Sequence, residues 1–238
     1  MNVTAIERAL FLVLAALMVA HLCGEYLVLE RGQLRDGLIA KFYLDYENNI
    51  PTFYSSCLWV LCAVAAWMIG SETRLRGLKL YLPWMGLSLL FLFLGADEML
   101  EIHEALLDPM REVTGGEGWF FQAWLFAYGG LVIIGGLLLW PFLRQLPRIL
   151  YWRVALAAGV FLSGALGLEA VGGFWIQNDE RDTWAYSLIV GAEESLEMLG
   201  LILLMSALLK HIARHLRAIQ FVHGQRPAPL AEVRRRDD

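Results

Sequence analysis

Six apolar runs, each near twenty residues, alternate with short polar segments: roughly Ala9–Leu29, Pro51–Gly70, Leu80–His103, Trp119–Leu143, Val154–Val171 and Ala185–Leu209. A helix rising ~1.5 Å per residue needs about 20 such residues to cross the hydrocarbon core of a bilayer. The charges sit between the runs and do not recur within them at amphipathic spacing, so the pattern predicts spanning helices. Glycine and proline mark many of the breaks, among them Gly32, Pro51, Gly70, Pro109, Pro147 and Gly172–Gly173. Trp119, Trp140, Trp152, Trp175 and Trp184 lie near run ends, where amphipathic rings favour the membrane–water interface. The first run is too long for a signal peptide and lacks a small-residue cleavage site, so it reads as the first span. The expected fold is all-α: an integral membrane bundle of about six transmembrane helices over residues 1–210, then a basic, partly disordered tail over 211–238.

Composition agrees. Of 238 residues, 58% are hydrophobic and 18% charged. A soluble domain of this size could not hide so much apolar surface. Cys23, Cys57 and Cys62 all fall in apolar runs without disulfide or zinc spacing, and read as buried small residues. Nothing in the pattern points to nucleic acid.

The charge matters more for its distribution than for its sum of −5. Arg8, the loop of Arg74, Arg76 and Lys79, the loop of Arg144, Arg148 and Arg153, and the tail from Lys210 share one side of the predicted bundle. They hold fourteen of the nineteen basic residues. The positive-inside rule then puts both termini in the cytoplasm, with the protein in the cytoplasmic (bacterial inner) membrane. Arg31, Arg35, Lys41, Arg111 and Arg181 lie on the opposite, more acidic side. The basic tail suits anionic lipid headgroups. His211 and His215 have metal-ligand spacing, but an exposed, solvated pair is the favoured reading.

Carboxylates within or beside the spans change the picture. His21 and Glu25 lie in the first span, Glu47 just before the second, and Asp97, Glu98, Glu101, His103 and Glu104 at the end of the third. Glu169 lies near the end of the fifth, and Glu193, Glu194 and Glu197 near the start of the sixth. In the predicted orientation all of them fall in the outer half of the bilayer. If the third span continues as a helix, Asp97, Glu101, Glu104 and Asp108 share a narrow face. No lysine or arginine lies inside any predicted span. A carboxylate at the bilayer centre costs about 2.5–3.5 kcal/mol on insertion scales, so these groups must be protonated, hydrated or neutralised by bound cations.

Carboxylates and histidine on facing helices form the ligand set of dinuclear metal sites in helix bundles. Such donors suit one or two divalent ions, iron, manganese or zinc above all. Asp97, Glu101, Glu193 and Glu197 are the candidate inner ligands. His21, Glu25, His103 and Glu169 are candidate ligands or hydrogen-bond supports, with Glu47, Glu98, Glu104 and Glu194 in the same layer. The usual Glu-x-x-His of di-iron bundles is absent. Other readings stay open: His21 as a hydrogen-bonded core histidine, Glu98 turned toward the surface, and Glu47, Glu104 and Glu169 paired with Arg31, Lys41, Arg111 or Arg181. Ser163 and Gly167 read as helix-packing residues.

Two strings, Glu47-Asn48-Asn49-Ile50-Pro51-Thr52-Phe53-Tyr54-Ser55-Ser56 and Asp97-Glu98 followed by His103-Glu104, resemble a family of uncharacterised bacterial polytopic membrane proteins. The resemblance implies that Glu47, Asn49, Asp97, Glu98, His103 and Glu104 belong to one site. It implies no activity.

The leading functional expectation is a metal-binding membrane protein, and in one form an enzyme acting on a lipophilic small molecule. The alternatives are a proton- or cation-coupled transporter and a scaffold subunit of a membrane complex. Membrane lipids are expected partners, and a homo-oligomer is open.

Overall fold

The computed structural model describes residues 2–117 and 121–215. It is built of helices, with no strand among the described residues. They are α1 Val3–Leu29, α2 Gly37–Phe42, α3 Ile50–Leu75, α4 Tyr81–Leu100, α5 Leu107–Thr114, α6 Trp124–Leu143, α7 Arg148–Leu162, α8 Glu169–Gln177 and α9 Trp184–His215. A 3₁₀ turn at Glu104–Leu106 precedes α5, and a π-helical segment at Ser163–Leu168 joins α7 to α8. Six helical stretches are long and apolar enough to cross a membrane, the fifth being the continuous run Arg148–Gln177. The expected six-span architecture therefore holds. Trp119 and residues 216–238, most of the expected tail, lie outside the described residues.

The third span departs from expectation. α4 stops at Leu100 because Glu101 adopts the left-handed conformation (φ 55°, ψ 38°) and its N–H closes onto the Asp97 carbonyl. A non-glycine residue rarely takes that conformation. The helical face joining Asp97, Glu101, Glu104 and Asp108 is therefore not formed.

α3 and α9 make the centre of the bundle. α9 packs on α7, α1 and α3, and α3 on α4 and α9. Glycines set the closest approaches. Gly95 lies under Trp59, Gly164 against Glu193 and Glu197, and Gly200 against the Phe161 backbone; at each, an added Cβ would come within 3.0 Å of a neighbour. The expected packing residue Gly167 has open space around it, and Ser163 bonds the Val160 carbonyl within its own helix. The small-residue contact is made one position away, at Gly164, because the π segment shifts the register. Of the cysteines only Cys62 is buried; Cys23 is exposed on α1.

α6 and α1 are the least buried of the spans. Only 6% of the α6 apolar window is buried, against 61% in α9. The N-terminal end of α6 is fixed by buried Ala123 and Trp124, and its C-terminal end by Phe142, which meets Trp84 edge-on at 5.3 Å. Between those ends Gly129, Gly130, Gly135 and Gly136 face open space. α6 is thus fastened at both ends and stands off in the middle.

Candidate metal centre and the chamber beneath it

The segment before α3 is a capping device. Asn49 is the N-cap of α3. Its Oδ1 accepts from the Thr52 N–H and hydroxyl, both at 3.0 Å, and Pro51 sits in the first turn, where its missing N–H costs nothing. The Asn49 amide also donates to the Tyr43 carbonyl at 2.6 Å and to that of Tyr46. Both faces of the Asn49 side chain are therefore spent on folding this segment, which turns Glu47 inward beside the end of α4.

The α4 end is organised by Asp97. With the chain reversed at Glu101, the His103 N–H returns to Asp97 Oδ1 at 2.9 Å. The Tyr128 hydroxyl of α6 donates to the same oxygen at 2.9 Å. His103 Nδ1 lies 3.5 Å from Asp97 Oδ2, and its Nε2 lies 3.3 Å from Glu47 Oε1. Its ring packs on Trp124 at 4.6 Å. Glu47, His103 and Glu104 each offer a donor atom, all within 4.8 Å of one another. Glu47 Oε2 is enclosed without a hydrogen-bond partner. Burial opposes the charged imidazole, but the Asp97 and Glu47 carboxylates prevail and hold His103 up at about 10. Burial and then the Glu47 charge push the Glu104 carboxyl above its ordinary range.

Below this trio opens a cavity of about 540 Å³, within the usual range of small-molecule sites, about 300–1,000 Å³. Nine of the twelve candidate residues line it: Glu47, Asp97, Glu98, His103, Glu104, Glu169, Glu193, Glu194 and Glu197. Glu193 lies beside the Glu169 carboxyl, which accepts from the Gln122 amide. Glu194 lies within electrostatic reach of Glu98, Glu169, Glu47 and Asp45. The expected inner quartet is thus divided. Asp97, Glu193 and Glu197 reach the cavity, whereas Glu101 turns away and accepts from Asn48 at the surface.

His21 and Glu25 lie outside the cavity and have other partners. His21 Nδ1 accepts from the Leu44 N–H at 3.3 Å, which leaves Nε2 to donate to Ser187, whose carbonyl lies 3.3 Å away and hydroxyl 3.2 Å away. It is fully buried, as the core-histidine reading expects. Glu25, with no exposed surface, is held by both ends of Arg35, at 3.0 and 3.1 Å; Arg35 also reaches Asp182 at 2.8 Å. Two basic side chains fold inward: Arg35, whose target is the deeper acid Glu25, and Arg181, which lines the cavity near Asp45. The Glu25 and Asp182 bonds outweigh burial and keep the Arg35 guanidinium protonated above its ordinary range. Arg111 donates to the Phe121 carbonyl, and Arg31 lies over Tyr26.

Several lining groups were not among the candidates. Asp45 accepts from the Tyr186 hydroxyl near Arg181, and burial raises it to about 6. It stands in the same acid-rich string as Glu47. Tyr128 is the one hydroxyl-bearing residue in the apolar run of α6, a signal open to sequence reading. Gln122 carried none.

No curated protein and no solved structure matches the chain. The family model described as "Domain of unknown function (DUF8692)" matches residues 9–212, nearly the whole described bundle with both strings of the site inside it. The chain belongs to the DUF8692 family.

Proposed function

We propose that this is a metal-dependent membrane enzyme that holds a divalent cation (iron, manganese or zinc) at Glu47, His103 and Glu104 and acts on a lipophilic substrate. The observation that carries this reading is the meeting of three donors, two at the end of α4 and one before α3, within 4.8 Å of one another at the mouth of a largely apolar cavity. Three protein ligands leave a coordination position free, the arrangement of catalytic rather than structural sites. Asp97 supports the ring through Nδ1 and leaves Nε2 to the ion, as carboxylates behind metal-bound histidines do. Such an ion can polarise a substrate carbonyl or activate water. The orientation belongs to the same reading: positive-inside charge and an even number of spans put both termini in the cytoplasm and the site beneath the outer surface.

The test is elemental analysis of the detergent-purified protein, with and without reconstitution in Fe(II), Mn(II) or Zn(II). Wild type should retain about one ion per chain and gain thermal stability with it. His103→Ala and Glu47→Gln should lose the ion while remaining monodisperse. Wild type without stoichiometric metal after reconstitution would sink the proposal.

A further inference from the structure

The cavity has two chemically different parts. Its outer end is lined by nine carboxylates, Asp45 included, against only His103 and Arg181 as cationic side chains. Its inner part is lined by apolar residues from α4, α6, α7 and α9, down to Phe142, Leu143 and Leu208. From Tyr128 to Leu143 on α6 is fifteen residues, or ~22 Å along the helix axis. One leaflet of hydrocarbon is only about 15 Å deep, so the groove continues past the bilayer midplane. α6 leaves the groove open because it is fastened only at its ends, and Gly135 and Gly136 on the groove wall have nothing within 4 Å of an added Cβ.

From the joined groove and carboxylate chamber we infer a binding site for an amphiphile with a cationic head, a long-chain amine. The tail lies between α6 and the wall of α4, α7 and α9, and the ammonium lies among Glu193, Glu194 and Glu197. Charge complementarity selects the head: an anionic headgroup would meet a surplus of carboxylates, whereas an ammonium relieves it. Groove length selects a long alkyl tail. The inference rests on the proposed function in taking the chamber as the polar end of the site, but it uses different side chains from the metal trio.

Binding of radiolabelled hexadecylamine to the full-length protein in phosphatidylcholine nanodiscs tests it. Binding should saturate at about one amine per chain, with palmitate and dipalmitoyl phosphatidylglycerol competing about tenfold more weakly or worse. Gly135→Leu with Gly136→Leu, which fills the groove, should weaken amine binding about tenfold while metal content stays at the wild-type level. Should that pair fail to fold, Leu139→Trp on the same wall replaces it. Glu194→Gln with Glu197→Gln should weaken the amine alone. Equal competition by palmitate, equal competition by the two-chain lipid, or unchanged binding in the groove-filling variant would each overturn the inference. A protein that takes the amine but never a metal overturns the metal reading and leaves this one standing.

Discussion

Burial alone does not make a carboxylate part of the site; its partner decides. Glu25 and Glu193 are both more than nine-tenths buried, yet Glu25 is matched by the two-pronged guanidinium of Arg35, while Glu193 meets another carboxyl, that of Glu169. Removing one member of a buried ion pair strands the other, at a cost of about 3–5 kcal/mol. Arg35→Ala should therefore lower stability by that order, and Arg35→Ala with Glu25→Leu should recover much of it. Thermal unfolding of the two variants in detergent checks this, and no recovery in the double variant would mean that Glu25 has another partner. At the metal trio the expected order is reversed: Glu47→Gln should change metal content far more than stability.

At the scale of elements, two irregularities aim the chemistry. The left-handed Glu101 ends α4 and folds His103 back under Asp97. The π segment Ser163–Leu168 resets the helix phase so that Gly164 meets α9 while Glu169 faces the chamber. Such π bulges recur at functional sites. An alanine Cβ at Gly164 would lie 2.7 Å from the Glu193 carbonyl and 2.9 Å from Glu197 Cγ. Gly164→Ala should push this segment off α9 and cost about 1–3 kcal/mol, the range for overpacking. Gly167→Ala, in open space, should be neutral or slightly stabilising. Equal behaviour of the two variants would remove the packing role assigned to Gly164.

Across the whole molecule, the proposed orientation predicts that green fluorescent protein fused after the C-terminus fluoresces, while alkaline phosphatase inserted in the loop at 179–182 is active. The opposite pair of signals would invert the bundle. The spans were legible because insertion into lipid is a property of local runs, and hydropathy reads runs. The division of the acids was not. Whether Glu25 or Glu193 is neutralised depends on where Arg35 lands after a ten-residue excursion, and no span-by-span pattern carries that. Helical periodicity failed at Glu101 for the same reason: its reversal is stabilised by tertiary contacts around Asp97.

The fastening of α6 at its two ends has a consequence for where the protein works. Its span of twenty residues is ~30 Å long, the thickness of an average hydrocarbon core, and a helix in a thinner or thicker membrane adjusts by tilting or by deforming the lipid around it. Here such tilting swings one wall of a slot whose other walls are packed on one another, α7 on α9 and α4 on α3. The surrounding membrane thereby becomes a gauge that sets how wide the slot stands, before any guest arrives.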